Sequence, residues 1–218
     1  MEVNMTILSE DDKNVLRDYF QREMSGNVKI LFFTQAINCD YCPDTERILK
    51  EVSEISDKIK LEIKNFVTDK EDVEKYGVDK VPAIIFLKEN GEDTRIRFYG
   101  IPSGYEFTSL IETILMVSKN ESNLKQEFKE KIKKIDKKIE IKVFVTPSCP
   151  YCPRMAVLAN KVALENENIT SNIIEVIEFP ELGEKYSVFG VPKVVINEEI
   201  QFEGAVPENY FIDYLEKA

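Results

Sequence analysis

Cys149-Pro150-Tyr151-Cys152, answered later by Val191-Pro192 and the apolar run Val194 to Ile196, is one of two copies of a single design. The other is Cys39-Asp40-Tyr41-Cys42, answered by Val81-Pro82 and then Ala83-Ile84-Ile85-Phe86-Leu87. The two dithiols lie 110 residues apart, and so do the two Val-Pro pairs. Tyr76-Gly77-Val78 recurs as Tyr186-Ser187-Val188 at the same offset. In each copy the proline stands 43 residues after the first cysteine and opens an apolar strand. All 4 cysteines of the chain belong to these pairs. The pattern points to an internal repeat and to redox chemistry carried out twice.

The 218 residues suit two domains of about 110 residues each. A polar stretch, Asn120-Glu121-Ser122-Asn123, separates two helical patterns. It sets the expected units at residues 1–119 and 120–218. Net charge is −11, so no basic stripe is available to neutralise phosphates, and nucleic-acid binding is disfavoured. The longest apolar runs fit buried strands and fall far short of a membrane span. The N-terminal MEVNMTILSEDDK lacks the basic and apolar regions of a secretory leader, which makes the cytoplasm the expected compartment. There are 0 histidines, which excludes Ser-His and Cys-His nucleophile pairs and any His-ligated metal. A composition rich in Lys, Glu and Ile, with no Trp, leans towards a thermophile, whose cytosol tolerates disulfides.

Hydrophobic periodicity gives each half the same order: helix, strand, helix, strand, helix, strand, strand, helix. Ser9 followed by Asp12 starts the first helix. Val28 to Phe33 and Ile139 to Val145 are the strands that precede the dithiols. Ile59 to Val67 alternates as a strand with Leu61, Ile63 and Phe66 turned inward. Ile173, Ile174, Val176 and Ile177 belong to its counterpart. Asn90-Gly91 signals a hairpin, and Arg95 to Tyr99 alternates as an edge strand should. The fold class is α/β: two tandem units, each a mixed four-stranded sheet flanked by helices.

Each half resembles the thioredoxin fold, with Cys-x-x-Cys after the first strand and Val-Pro before the third. Cys149-Pro150-Tyr151-Cys152 matches the glutaredoxin active-site tetrapeptide. The whole chain resembles the protein disulfide oxidoreductases of thermophilic microbes, also called glutaredoxin-like proteins. The resemblance implies that Pro82 and Pro192 are cis and face the dithiols. It implies that the backbone of Val81 and Val191 pairs with an extended substrate segment. The expected partners are disulfide-containing proteins, with a flavin-dependent thioredoxin reductase as electron source; no bound cofactor is implied. One departure stands out. Thioredoxins carry a buried acid six residues before the first active-site cysteine, and here those positions are Phe33 and Val143. Proton transfer is left unassigned; Glu62 and Glu175 on neighbouring strands are the candidates, although a solvated face is their expected fate.

The attacking group in disulfide exchange is a thiolate, and a helix N-terminus lowers a thiol's pKa. If Cys39 and Cys149 start their helices, each faces unpaired N–H groups, while Cys42 and Cys152, one turn in, resolve the mixed disulfide. Tyr41 and Tyr151 are either caps or a contact surface for substrate. The rival readings are buried inert cysteines, a zinc site drawing on both pairs, static structural disulfides, and a redox-silent binding module. A Cys-x-x-Cys loop is too small to stabilise much, and zinc motifs use shorter spacing than the stretch between the pairs. The sequence therefore favours a thiol–disulfide oxidoreductase, with a dedicated electron carrier to a peroxidase as the runner-up. The offset sets Asp40 against Pro150 and Asp44 against Arg154. These charges predict a lower pKa for Cys149 than for Cys39.

Overall fold

The computed structural model describes residues 6–218. Residues 1–5, part of the stretch read for a leader, lie outside the described residues. The first unit runs α1 (Glu10–Glu23), β1 (Val28–Thr34), α2 (Cys42–Ile55), β2 (Ile59–Asn65), α3 (Lys70–Tyr76), β3 (Ala83–Lys88), β4 (Asp93–Tyr99) and α4 (Glu106–Lys119). The second repeats the order with α5 (Gln126–Lys133), β5 (Ile139–Val145), α6 (Cys152–Glu165), β6 (Ile169–Glu175), α7 (Pro180–Lys185), β7 (Lys193–Ile196), β8 (Ile200–Glu203) and α8 (Glu208–Lys217). Local chemistry sets the punctuation. Ser9 Oγ accepts the Asp12 N–H at 3.1 Å and caps α1. Gly77 ends α3 in the left-handed region at φ 62°, where a side chain would be strained. No described helix is long and apolar enough to cross a membrane.

The strands form one sheet in the order β2-β1-β3-β4-β6-β5-β7-β8. Here the structure corrects an expectation. β4 is no edge: it pairs in parallel with β6, from Ile96 opposite Ser171 to Tyr99 opposite Ile174. Within its own unit β4 has a partner on one side only, and β6 supplies the other row of backbone hydrogen bonds. The alternating charges that suggested solvent are accommodated at the seam. Arg97 is buried, with its guanidinium on the Asp93 carboxylate and the Tyr76 carbonyl. Two smaller corrections concern strand ends. Ile63 is exposed on the outermost strand β2, and β6 stops at Glu175, leaving Val176 and Ile177 in the following loop.

Side chains alternate across the sheet, so each central strand contributes to two cores. From β1, Ile30 and Phe32 join the larger core, shared with α1, α2, α4, α5, α6 and α8. Leu31 and Phe33 join the smaller one on the opposite face with Tyr76, Phe144 and Tyr186. Burial on both faces explains the apolar run Ile30 to Phe33 of β1. The larger core is continuous from Phe20 through Ile114 and Cys152 to Phe211, so the two units share it.

The topology also fixes where the dithiols lie. β1 and β2, β4 and β6, and β5 and β6 pair in parallel, while β3 runs opposite to both β1 and β4. β1 and β5 therefore point the same way, and the loops that follow them leave from the same end of the sheet. Four strand spacings separate β1 from β5, which is about 19 Å.

Candidate active site

Both helices begin at the second cysteine, not the first: α2 opens with Cys42 and α6 with Cys152. This corrects the expectation that Cys39 and Cys149 are the first helical residues. The cause lies in the next residue. Pro43 and Pro153 occupy the first turn, where proline's fixed φ suits the helix and its missing N–H costs nothing. Cys39 and Cys149 instead sit in the turn ahead of the helix, at the end where unpaired N–H groups project. At the second site that geometry is explicit, because the Cys152 N–H donates to Cys149 Sγ at 3.1 Å. At the first site the Cys42 N–H donates to the Cys39 carbonyl at 3.4 Å. Each pair is joined as a disulfide, Cys39 to Cys42 and Cys149 to Cys152.

The prolines lie in the loops just ahead of β3 and β7. Val81-Pro82 and Val191-Pro192 are both cis. Both prolines are buried and both valines half-buried. The Val191 carbonyl oxygen stands 3.7 Å from Cys149 Sγ, which sets this loop against the sulfur. Cys42, Cys149 and Cys152 are buried, and Cys39 is half-exposed. Tyr41 and Tyr151 make no side-chain cap and are exposed. The charged neighbours differ as the offset implies. Asp40 and Asp44 are exposed beside the first dithiol, with Asp44 3.4 Å from Arg47. Pro150 and Arg154 are exposed beside the second.

The buried acids near the second dithiol lie where no local sequence signal points. Phe33 and Val143 are fully buried among apolar side chains. Glu62 is partly exposed and paired with Lys29 at 2.6 Å. Glu175 is buried, against the expectation of a solvated face, because it ends β6 opposite Val145 under the second dithiol's loop. Burial raises its pKa, opposed by N–H bonds from Ile177 and Glu178. Glu178 accepts the Ile101 N–H at 2.6 Å and is pushed up to about 7, mainly by burial. The residue that no local signal marks is Glu106. It lies in the first turn of α4, fully buried, with no hydrogen-bond partner on either carboxyl oxygen among the described residues. Burial pushes it up to about 7; Ser109 counters the rise and the Glu175 charge adds to it.

These three carboxyls converge where the first unit meets the second. The Tyr105 N–H donates to the Pro147 carbonyl at 2.9 Å, two residues ahead of Cys149, and α4 packs against α6. Gly104 makes that approach possible, since a Cβ there would stand 2.3 Å from the Pro147 oxygen. Among the described residues, the carboxyls raised in pKa, Glu106, Glu175 and Glu178, all lie on this seam. Near the first dithiol's helix the buried acid is Glu51, and it behaves in the opposite way. Although burial opposes it, N–H bonds from Ile7 and Leu8 and the Lys13 ammonium hold it below the usual carboxylate range. It is an anchor for the N-terminal segment. In the second unit Glu208 opens α8 as Glu106 opens α4, but it is only half-buried.

Comparison with known proteins agrees with the two-unit fold. A thioredoxin domain family model matches residues 27–112 and 139–217. The solved structure of a protein disulfide oxidoreductase from Aeropyrum pernix is 33% identical, with a TM-score of 0.89 over 95% of this chain and 92% of that one. The F component of the Enterococcus faecalis alkylhydroperoxide reductase is 26% identical, with a TM-score of 0.89 over 95% of this chain and 99% of the solved chain. The F component of the Staphylococcus aureus alkyl hydroperoxide reductase is 28% identical over 88% of this chain. The chain spans about a third, 34%, of the length of that relative.

Proposed function

We propose that this chain, which belongs to the thioredoxin domain family and is a thiol–disulfide oxidoreductase, works as two separate dithiol stations rather than one relay. The observation that carries this reading is the continuous sheet. It fixes β1 and β5 about 19 Å apart with both dithiol loops at one end. Exchange requires a thiolate to touch a disulfide sulfur, and a packed eight-stranded sheet does not fold to bring the two sites together.

At each station the first cysteine, Cys39 or Cys149, attacks a substrate disulfide as thiolate, forms a mixed disulfide and releases one substrate thiol. The second, Cys42 or Cys152, then attacks the first cysteine's sulfur and releases the other. Two electrons pass to the substrate, and the dithiol closes to the disulfide. The backbone of Val81 and Val191 holds the substrate segment extended, with Pro82 and Pro192 behind it, and Tyr41 and Tyr151 flank it. At the second station Cys152 is buried and must lose its proton before it can attack. Glu106 is the acceptor: it is buried without a hydrogen-bond partner among the described residues on α4, which packs against the helix that Cys152 opens, and a carboxyl held near 7 exchanges protons readily around neutral pH. The units assigned to these stations are residues 1–119 and 120–218.

The substrates are disulfide-containing proteins, the electron source is a separate flavin-dependent thioredoxin reductase, and the compartment is the cytoplasm. A second reading, an electron carrier dedicated to a peroxidase, is favoured by the relatives named as F components of alkyl hydroperoxide reductases. The test is reduction of insulin with dithiothreitol as electron source, beside the same assay on a purified peroxidase disulfide. Comparable rates on both support the general oxidoreductase. A peroxidase rate at least a hundredfold higher selects the dedicated carrier, and no reduction of either contradicts the reading. Cys152→Ser is expected to accumulate a mixed disulfide with substrate through Cys149.

A further inference from the structure

Phe189 is 92% exposed, more than any other large apolar side chain among the described residues. It sits in the loop between α7 and β7, two residues before Val191, whose carbonyl stands against Cys149 Sγ. A single exposed apolar residue is ordinary. Phe189 is not single. Tyr151 at 69%, Ile177 at 63% and Tyr105 at 52% project from loops at the same end of the sheet. The backbone ties them to the second dithiol: Tyr105 N–H to the Pro147 carbonyl, and Val176 N–H to the Val145 carbonyl.

The 110-residue offset turns this rim into a controlled comparison. Tyr151 corresponds to Tyr41 and Ile177 to Val67, both also exposed. Phe189 corresponds to Asp79, which pairs with Lys80, and the Lys80 ammonium lies 4.0 Å from the Tyr99 ring centre. Pro150 and Arg154 correspond to Asp40 and Asp44. The first dithiol is therefore rimmed by three carboxylates at positions where the second carries Pro, Arg and Phe.

We infer that Phe189 is a specificity-determining residue of the second dithiol, which selects substrate segments with an apolar side chain next to the disulfide. A segment lying extended along Val191 passes over the Phe189 ring, and an apolar neighbour there removes both surfaces from water. At the first dithiol the same place holds the Asp79 carboxylate, which repels an acidic segment; the exposed apolar side chains there, Ile37, Tyr41 and Val67, lie on other loops.

This inference rests on the exchange reading above, and its test separates the two. The protein is the full chain carrying Cys39→Ser and Cys42→Ser, so that only the second dithiol reacts, with dithiothreitol regenerating it. Two short peptides each hold one cysteine as a mixed disulfide with thionitrobenzoate, flanked by leucines in one and by aspartates in the other. The Cys149 thiolate attacks the peptide sulfur and releases thionitrobenzoate, which is followed by absorbance. Cys152 then displaces the peptide thiol. The leucine peptide is expected to react with a kcat/KM about tenfold higher, expressed in KM. Phe189→Asp removes that preference, and Phe189→Leu retains most of it. Neither changes the rate with a small disulfide, oxidised 2-mercaptoethanol, by more than about twofold. In the complementary chain with only the first dithiol, Asp79→Phe creates the preference. Equal rates with the two peptides, or a preference untouched by Phe189→Asp, overturn the inference while leaving exchange intact. No reaction with the peptides or the small disulfide overturns the exchange reading itself.

Discussion

The two dithiols are built on one backbone plan and set in different surroundings. Both follow a strand with one parallel and one antiparallel neighbour, both precede a helix whose first turn holds a proline, and both units carry a cis Val-Pro bond ahead of their third strand. The difference lies in what each unit meets beyond itself. The second dithiol's loop receives the Tyr105 N–H at the seam that holds the buried carboxyls Glu106 and Glu175 and the half-buried Glu178. The first has solvent, Asp40, Asp44 and Asp79 around it. A repeat thus supplies two copies of the reacting geometry, while the seam where the copies join makes them unequal.

The largest expected effect removes both sides of the comparison. The double variant Cys39→Ser, Cys149→Ser should lose insulin reduction by more than about a hundredfold while keeping a wild-type circular dichroism spectrum. Cys149 belongs to the larger core and Cys39 does not, but serine is close to cysteine in size, so loss of fold would contradict that part of the account.

Next comes the seam. Gly104→Ala places a Cβ within 2.3 Å of the Pro147 oxygen at a residue with φ 57°. Backbone on both sides has to part, and a cost of roughly 2–4 kcal/mol is expected in urea unfolding. Exchange at the second dithiol should fall more than exchange at the first. Equal losses at both sites would mean that the seam transmits nothing specific to Cys149.

Glu106→Gln sharpens the comparison through pH. The folded-state pKa of Glu106 lies at about 7, above the ordinary 4.5. The folded chain therefore keeps a proton that the unfolded chain loses, and stability falls as pH rises from about 4.5 to about 7, then levels. Gln removes this share of the slope, on the order of 2–3 kcal/mol, which urea unfolding at pH 5 and pH 8 would measure. Glu175 and Glu178 keep the remainder. The same change should slow turnover at the second dithiol by about tenfold or more and leave the first unaltered. Identical pH profiles for wild type and variant would remove Glu106 from the proton path.

Most of the frame was legible from the chain itself. The matched Cys-x-x-Cys and Val-Pro spacing, the capping Ser9, the Asn90-Gly91 hairpin and the apolar run of β1 are local, and local signals survive into the fold. β4 was misread as an edge because the partner that covers it, β6, lies some seventy residues further on, and alternation cannot say which strand comes to pair with it. The helix starts moved by three residues because Pro43 and Pro153, not the cysteines, set the first turn. Glu106 was invisible for a different reason. A lone Glu in a helix's first turn reads as a solvated residue that complements the dipole, and only the docking of α4 against α6 buries it.

The smallest expected effect is electrostatic. Positive charge near Cys149 and negative charge near Cys39 favour a lower thiol pKa at Cys149, helped by the Cys152 N–H on its sulfur. Lower exposure at Cys149 works against this, so a difference of about one unit is expected. The measurement is pH-dependent alkylation in chains that keep one dithiol each. A lower pKa at Cys39 would show that desolvation outweighs the charges.

The independence of the two stations is tested most directly by additivity. Insulin reduction, driven by dithiothreitol, is measured for wild type, for Cys39→Ser with Cys42→Ser, and for Cys149→Ser with Cys152→Ser. Each single-dithiol chain should retain activity, the chain keeping Cys149 and Cys152 the larger share, and the two rates should sum to that of wild type. If either chain is silent while its remaining dithiol is intact and reduced, electrons pass from one dithiol to the other and the account of two separate stations is wrong.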